Sequence, residues 1–204
     1  MGKKKRKVEV RSQSVEVRGG KVHFLVAGPA KGQAVVLLHG ATLTSETWEE
    51  TGTIQTLASA GYRVIAVDLP GLGRSDENRG PRATWLRSFL DSAGIKKPVI
   101  VSPSMSGGLS LPFLIEEPEG AAGFVAVAPV AIPLYREKLS RINCPVLALW
   151  GENDGVVPLK NADVLVNSAQ HGRKVFIPGA SHIPYRSHPE EFHKELLGFL
   201  AEIG

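Results

Sequence analysis

The segment VIVSPSMSGGLS, residues 99–110, places a serine where a buried apolar run ends. A nucleophilic hydroxyl at a strand-to-helix junction must stand on a sharp turn, and its neighbours two residues away must be small. Ser104 occupies the central position of the pattern G-x-S-x-G, with Ser102 and Ser106 in the glycine positions. The two glycines that follow would keep the helix start close to the sheet. Ser104 is therefore a candidate nucleophile, and a serine-rich helix N-cap is the alternative interpretation.

A serine hydroxyl is a weak nucleophile near neutral pH and needs a base, which in turn needs an orienting acid. In a strand–turn–helix arrangement of this kind, the chain order is nucleophile, acid, histidine. Asp154 in GENDGVVP follows the run PVLALW, 50 residues after Ser104, and His182 in PGASHIPY follows the next run, 28 residues later. The segment after residues 123–128 offers no carboxylate, which favours Asp154 as the acid. An Asn-Asp-Gly turn and an ordinary loop histidine are the alternatives.

Acyl transfer also requires backbone N–H groups that meet the negative oxygen of the tetrahedral intermediate. Met105 directly follows the candidate nucleophile and is expected to supply one of them. The loop after AVVLLHG is expected to supply the other, from Ala41 or its neighbour Thr42. His39 in the same loop is interpreted as a structural hydrogen-bonding residue that shapes the loop.

Eight short apolar or β-rich runs predict the strands that would position these residues. They are SVEVR, KVHFLVA, AVVLLHG, RVIAVD, PVIVS, GFVAVAP, PVLALWG and RKVFIPG. The first two flank Gly19 and Gly20, which predicts a hairpin with a two-residue turn. The other six alternate with stretches of helical spacing, such as residues 46–61, 82–94 and 189–203. This order predicts an α/β fold with a mostly parallel sheet of about eight strands, an N-terminal antiparallel hairpin and helices on both faces. The candidate residues then share the carboxyl edge of the sheet.

The positive charge is concentrated at the N-terminus. Of 24 Lys and Arg residues, five form KKKRK at residues 3–7, which leaves 19 against 20 Asp and Glu residues. We expect residues 1–13 to be a basic, flexible tail and residues 14–204 to form one domain, whose folded body does not bind nucleic acid directly. Nuclear import receptors bind basic runs of this length, so residues 3–7 predict such a partner; a solvated or appended tail is the alternative.

Composition excludes several classes of protein. No window of 18 apolar residues and no apolar stretch behind the basic run are present, so neither a membrane span nor a secretory signal is expected. The single Cys144 excludes an internal disulfide, as is typical of proteins in the reducing cytoplasm. The basic run at residues 3–7 makes the nucleus the alternative location. The histidines and Cys144 lack metal-ligand spacing, and PGLGRS lacks the third glycine of a dinucleotide site. No metal and no cofactor are therefore expected.

Taken together, LLHG, DLPGLGRSD, the serine turn, GENDGVVP and GASH resemble the α/β-hydrolase superfamily over residues 14–203. Within it, LLHGATLTSETW, DLPGLG, SPSMSGGLSLPFL and HPEEFH resemble the α/β-hydrolase domain-containing protein 14 family, whose turn also carries serines in place of glycines. The resemblance implies a cytosolic or nuclear serine hydrolase that acts on small acyl esters or amides through Ser104, Asp154 and His182. It also implies two further possibilities, acyl transfer from acetylated lysine to coenzyme A and association with transcription machinery.

The expected substrate pocket is open. About 16 residues, VAIPLYREKLSRINCP, separate two predicted strands where many relatives insert a helical cap, so no cap domain fits. An open mouth favours short-chain or accessible substrates over long lipids. The expected wall residues are Leu43, Trp48, Leu111, Ile132, Tyr135 and Ile183.

The leading hypothesis is hydrolysis of a carboxylic ester. In this mechanism Ser104 attacks the acyl carbon, His182 takes and returns the proton, and Asp154 holds the imidazole. Transfer of the acyl group to a thiol such as coenzyme A uses the same acyl-enzyme, although no phosphate-binding glycine loop supports it. The fold also hosts lyases and cofactor-free peroxidases, and a nuclear interaction module with an idle triad is the non-enzymatic alternative.

Overall fold

All eight predicted strands form and pair in one sheet. The computed structural model describes residues 7–77 and 79–204. The strands are β1 (Arg11–Val17), β2 (Gly20–Ala27), β3 (Ala34–Leu37), β4 (Arg63–Val67), β5 (Val99–Pro103), β6 (Gly123–Val127), β7 (Val146–Gly151) and β8 (Gly172–Ile177). Their order is β1-β2-β4-β3-β5-β6-β7-β8. The β1–β2 and β2–β4 pairs are antiparallel and the remaining pairs are parallel, which confirms the predicted architecture.

Helices cover both faces of the sheet, as predicted. In chain order they are α1 (Glu46–Glu50), α2 (Thr53–Ser59), α3 (Trp85–Ser92), α4 (Gly107–Glu116), α5 (Ile132–Tyr135), α6 (Lys160–Ser168), α7 (Pro184–Ser187) and α8 (Pro189–Ile203). Buried side chains of α1, α2, α7 and α8 pack in one apolar cluster, and those of α3 to α6 pack in the other. The two clusters lie on opposite faces of the sheet.

Central strands contribute alternate residues to the two clusters. Val36 and Leu38 pack with α3 to α6, whereas Val35 and Leu37 pack with the helices of the opposite face. Successive side chains of a strand point to opposite faces, so a strand covered on both sides must be apolar at every position. This is why the central strands appear in the sequence as continuous apolar runs.

The expected boundary of the tail at residue 13 is wrong. β1 begins at Arg11, and Arg11 and Gln13 pair with Val26 and Phe24 of β2. Val10 packs against the apolar cluster of α1, α2, α7 and α8, and the Val8 N–H donates to Gln55 Oε1. Polar residues on an edge strand give no hydrophobic signal, so the sequence pattern did not mark its true start. The basic run at residues 3–7 lies outside the described residues, apart from Lys7.

The hairpin turn lies one residue earlier than expected. Arg18 (φ 54°) and Gly19 (φ 74°) both have left-handed backbones, as the two central residues of a type I′ turn require, and Gly20 already pairs with Val17. The Arg18 guanidinium donates hydrogen bonds to Ser88 Oγ, Thr84 Oγ1 and the Pro81 carbonyl. These contacts offset the cost of placing a side chain at positive φ.

Two connections shape the carboxyl edge of the sheet. Gly52, with φ 73°, separates α1 from α2, so the predicted helical stretch 46–61 forms two helices. The connection from β6 to β7 contains only α5 and a 3₁₀ segment, Arg136–Arg141, with no inserted cap domain. None of the helices formed by residues 7–77 and 79–204 is long and apolar enough to cross a membrane.

Candidate active site

Ser104 stands on a strained turn between β5 and α4. Its φ of 48° lies in the left-handed region, which is uncommon for a residue with a side chain and expected for a serine that must project above the sheet. Ser104 opens a 3₁₀ turn, Ser104–Ser106, that leads directly into α4. A β-carbon on Gly107 would lie 2.6 Å from Pro129 Cβ, so the small residue permits the close approach of the helix start.

The serines that replace the usual glycines form a buried hydrogen-bond chain. Ser102 Oγ lies 2.9 Å from Ser106 Oγ and 2.7 Å from Ser110 Oγ, and all three residues are fully buried. Ser106 donates its proton to the Pro103 carbonyl, so Ser102 must donate to Ser106, and Ser110 must donate to Ser102. Serine is therefore accommodated beneath Ser104 because each hydroxyl proton has an acceptor.

The structure brings Ser104, His182 and Asp154 together. His182 Nε2 lies 2.9 Å from Ser104 Oγ, and Nδ1 lies 2.8 Å from Asp154 Oδ2. The Asp154 side chain has no exposed surface, whereas that of His182 is 16% exposed. Asp154 Oδ1 accepts the N–H groups of Val156 and Val157 at 2.8 and 2.9 Å, which fixes the carboxylate. With Nδ1–H donated to the carboxylate, Nε2 is free to accept the serine proton.

The loop at residues 40–43 lies against Ser104. A β-carbon on Gly40 would be 3.7 Å from Ser104 Cβ. Leu43 N–H donates to the Gly40 carbonyl across a turn, and Thr42 within it has a left-handed φ of 62°. Neither Ala41 nor Thr42 donates its N–H to another residue of the described chain. These two groups, with Met105 directly after the nucleophile, remain the candidate oxyanion donors.

His39 holds the start of this loop. Its Nδ1–H donates to the Gly40 carbonyl at 2.8 Å, and its Nε2 accepts the Leu69 N–H at 2.9 Å. Burial lowers the pKa of His39 below its usual value, which favours the neutral ring that this bonding pattern needs. His39 therefore has a structural role, in agreement with the interpretation from the sequence.

Asp68 anchors the same loop from the end of β4. Its Oδ1 accepts the Ser45 N–H at 2.7 Å, and its Oδ2 accepts the Arg74 N–H at 3.0 Å and the His23 Nδ1–H at 2.8 Å. Burial would raise the pKa of this carboxyl, but the hydrogen bonds from Arg74, Ser45 and His23 outweigh it and lower the pKa. A β-carbon on Gly73 would lie 2.4 Å from the carboxyl group. The segment DLPGLGRSD is therefore folded around Asp68.

A second serine, histidine and aspartate have the connectivity of the first set. Ser12 Oγ lies 2.8 Å from His23 Nε2, and His23 Nδ1 contacts Asp68. Ser12 lies within a β-strand, without the strained turn that presents Ser104. The Asp68 carboxylate, moreover, already accepts hydrogen bonds from two loop N–H groups, those of Ser45 and Arg74. We therefore interpret this set as a connection between β1, β2 and β4.

The expected wall residues divide into two groups. Leu43, Tyr135 and Ile183 are partly buried and keep accessible surface, and Leu43 Cδ1 would contact a β-carbon on Gly40. Trp48, Leu111 and Ile132, in contrast, have no accessible surface and pack in the core. They do not line an open pocket, which corrects the expectation for these three. Apolar residues near a loop have the same sequence pattern whether they face a pocket or the core.

Three exposed apolar side chains, two between β6 and β7 and one after β7, were not identified from the sequence. Val130, Leu134 and Val156 are 46%, 78% and 65% exposed. The Val130 N–H donates to the Ser104 carbonyl, and the Val156 N–H donates to Asp154 Oδ1. Val130 and Val156 thus adjoin the residues of the site, with Leu134 on the short helix that follows Val130. Single apolar residues in loops have no periodicity, so no sequence signal marks them.

Comparisons with known proteins show which family the chain is similar to. Residues 33–136 match the family model described as alpha/beta hydrolase fold. The chain is 38% identical over 206 residues to the "Putative protein-lysine deacylase ABHD14B" of Homo sapiens, covering 95% of this chain and 96% of that protein. It is 39% identical over 175 residues to "Protein ABHD14A" of Danio rerio, covering 83% of this chain and 64% of that protein.

The solved structures also include a similar molecule. The crystal structure of a predicted CIB-like hydrolase from Thermoplasma acidophilum matches with a TM-score of 0.88 and 27% identity, covering 95% of this chain and 98% of that one. The family match, the close relatives and the shared architecture lead to one conclusion. This chain belongs to the α/β-hydrolase family and, within it, to the ABHD14 group.

Proposed function

We propose that the protein is a serine hydrolase that cleaves small acyl esters or amides through an acyl-enzyme on Ser104. The observation that carries the proposal is the continuous hydrogen-bond path from Asp154 through His182 to the Ser104 hydroxyl. The path connects a buried carboxylate to a hydroxyl on a strained turn, and such a path makes a serine nucleophilic.

The reaction proceeds in two half-reactions. Ser104 Oγ attacks the acyl carbon as its proton moves to His182 Nε2. The carbonyl electron pair moves to the oxygen, which accepts hydrogen bonds from the Met105 N–H and from the N–H of Ala41 or Thr42. The tetrahedral intermediate collapses, and the leaving alcohol or amine takes the proton from His182. Water then repeats the sequence on the acyl-enzyme and regenerates Ser104.

The surroundings of Ser104 favour accessible substrates with a small acyl group. No inserted domain stands between β6 and β7. Val130 and Val156, on loops that bond to Ser104 and Asp154, and Leu134 in α5 provide exposed apolar surface. The ABHD14B relatives bear the name putative protein-lysine deacylase. We therefore propose the amide of an acylated lysine as the natural substrate class and simple esters as model substrates. Partly exposed Leu43, Tyr135 and Ile183 are the proposed contacts for the acyl group.

The experiment that tests the proposal compares Ser104→Ala with Ser12→Ala. Ser104→Ala should lose both the turnover of a short-chain p-nitrophenyl ester and covalent labelling by a fluorophosphonate. Ser12→Ala should retain both, because Ser12 belongs to the second serine, histidine and aspartate set. Labelling that persists in Ser104→Ala and disappears in Ser12→Ala would refute the assignment. A wild-type protein that is neither labelled nor active would favour the non-catalytic interaction module.

The acyl acceptor is a separate question. Water suffices for the proposed hydrolysis, and coenzyme A is the alternative acceptor. Stopped-flow measurement of deacylation with and without coenzyme A distinguishes the two, because only a thiol acceptor makes the rate rise with coenzyme A and yields the acyl thioester.

We further propose that the protein works in the cytoplasm and that residues 3–7 bind an import receptor that brings part of it to the nucleus. Deleting residues 3–7 should then lower the nuclear fraction of the tagged protein in cells. Equal distributions with and without these residues would refute this role of the basic run.

A further inference from the structure

Tyr185 is an almost fully buried residue whose hydroxyl has no hydrogen-bond partner among residues 7–77 and 79–204. The residue is only 2% exposed, and its ring packs 4.5 Å from the Trp48 ring and 5.8 Å from the Phe192 ring, centroid to centroid. Among the residues that the structure describes, none forms a hydrogen bond with the Tyr185 hydroxyl. Buried tyrosine hydroxyls usually find a partner, because desolvating an unpaired polar group costs free energy. We therefore looked for a functional role for this hydroxyl.

The hydroxyl faces the space beside the nucleophile. A β-carbon on Gly40 would lie 3.7 Å from the Tyr185 hydroxyl oxygen and 3.7 Å from Ser104 Cβ. Both atoms thus border one space, about the size of a methyl group, next to the loop that supplies the candidate oxyanion donors. In the described chain the fully buried side-chain polar atoms without a partner are Ser45 Oγ and Arg173 Nε. The Tyr185 hydroxyl is not one of them, so it retains some accessible surface.

The protein holds this hydroxyl in place. Tyr185 lies in α7, three residues after His182, and Pro184 at the helix start restricts the backbone before it. Trp48, against which the ring packs, donates its indole N–H to the Leu38 carbonyl at the end of β3. The ring is thus fixed by the same strand end that leads to the loop at residues 40–43, and an oriented donor is pre-organised before substrate binds.

We infer that the Tyr185 hydroxyl donates a hydrogen bond to the acyl carbonyl oxygen of the substrate, as a third donor beside the backbone N–H groups. This inference rests on the proposed function. When Ser104 Oγ bonds to the acyl carbon, the carbonyl electron pair moves to the oxygen, and the hydrogen bond from Tyr185 strengthens as that charge develops. The proton stays on Tyr185 throughout, while the proton of Ser104 passes through His182 to the leaving group.

The electrostatics of Tyr185 suit this role. Burial raises the pKa of the phenol well above its usual value, and the positive charge of Arg186 opposes the shift only in part. The hydroxyl therefore remains a neutral donor near neutral pH. A neutral donor beside Ser104 stabilises a developing negative oxygen without competing with Asp154 for the histidine.

The test is Tyr185→Phe, with Tyr62→Phe as the matched control. Tyr62 is partly buried in the same apolar cluster but precedes β4, at the opposite end of that strand from Asp68. Losing one oxyanion donor should lower kcat on a short-chain p-nitrophenyl ester by about 100- to 1,000-fold, with little change in KM. The melting temperature should stay constant or rise, because the variant removes a hydroxyl that has no hydrogen-bond partner among the described residues. Tyr62→Phe should leave kcat unchanged.

A second variant tests the space itself. Gly40→Ala would place a methyl group between Ser104 and Tyr185 without a steric clash, so it should fold and yet lower kcat. Unchanged kcat in both Tyr185→Phe and Gly40→Ala would overturn the inference. An effect of Tyr185→Phe on KM alone would overturn it too. So would a fall in the kcat of Tyr185→Phe that is matched by a fall in its melting temperature. If wild-type Ser104 does not react with the ester or with a fluorophosphonate, the proposed function itself fails. A reactive wild type with unaffected variants refutes only the role of Tyr185.

Discussion

The Asp68 carboxylate accepts the backbone N–H of Ser45 at 2.7 Å, and this contact ties the end of β4 to the loop beside Ser104. The candidate oxyanion donors, Ala41 and Thr42, lie only a few residues before Ser45. Their position therefore depends on a buried charge that takes no direct part in the proposed chemistry. Several properties of the protein should respond to this arrangement.

Replacing Asp68 with Asn should destabilise the protein and lower kcat together. The amide keeps the size of the carboxyl, but one of its two oxygens becomes an NH2 group. Either the Ser45 hydrogen bond or both the Arg74 and the His23 hydrogen bonds then lose their acceptor. The unfolding free energy should fall by about 2 kcal/mol, as measured by urea denaturation. Asp163→Asn, which removes an exposed partner of Lys174, is the control and should change stability little. Equal stabilities of the two variants would contradict the anchoring role.

The stability of the protein should depend on pH through Asp68. Its pKa is lower in the folded state than in the unfolded chain, so its contribution is fully present above the unfolded pKa of about 3.9. That contribution is lost as the pH falls through the folded pKa. Urea denaturation at pH values from about 5 downward should show that the unfolding free energy falls less steeply with pH in Asp68→Asn than in the wild type. Parallel curves for the two proteins would show that Asp68 is not the responsible group.

The buried serine chain beneath Ser104 should behave as a coupled unit. Ser102→Ala removes the acceptor of Ser110 and should cost about 1 to 2 kcal/mol of unfolding free energy, because a buried donor is left unpaired. The double variant Ser102→Ala/Ser110→Ala removes both groups and should be more stable than the sum of the single effects predicts. A double-mutant cycle in urea measures this coupling. Strict additivity would show that the two hydroxyls do not interact.

Thr42→Gly should stabilise the protein. A β-branched residue at a φ of 62° is strained, and glycine adopts this conformation at no steric cost. The expected gain is about 1 kcal/mol, visible as a higher melting temperature. Thr42→Ala, which loses the hydroxyl but keeps a β-carbon, separates backbone strain from side-chain effects. An Ala variant as stable as the Gly variant would remove strain as the explanation.

The nature of the strands and the order of the site residues are local properties, and the sequence determined both. Strands that are covered on both faces must be apolar throughout, so the sequence pattern alone predicted β3 to β7. Ser104, Asp154 and His182 each follow such an apolar run. The polar start of β1 at Arg11 gives no such signal, because an edge strand depends on pairing with β2 and not on its own hydrophobicity.

Contacts between distant segments were decided by the tertiary structure alone. Three features depend on how separate strand ends and helices meet. They are the burial of Trp48 in the core instead of a pocket, the carboxylate that supports the loop at residues 40–43, and the direction of the Tyr185 hydroxyl. Side-chain type and spacing constrain which element a residue belongs to and leave open which residues of other elements lie against it. The sequence by itself thus identified the candidate reacting groups, and only three-dimensional packing determined which neighbours hold and surround them.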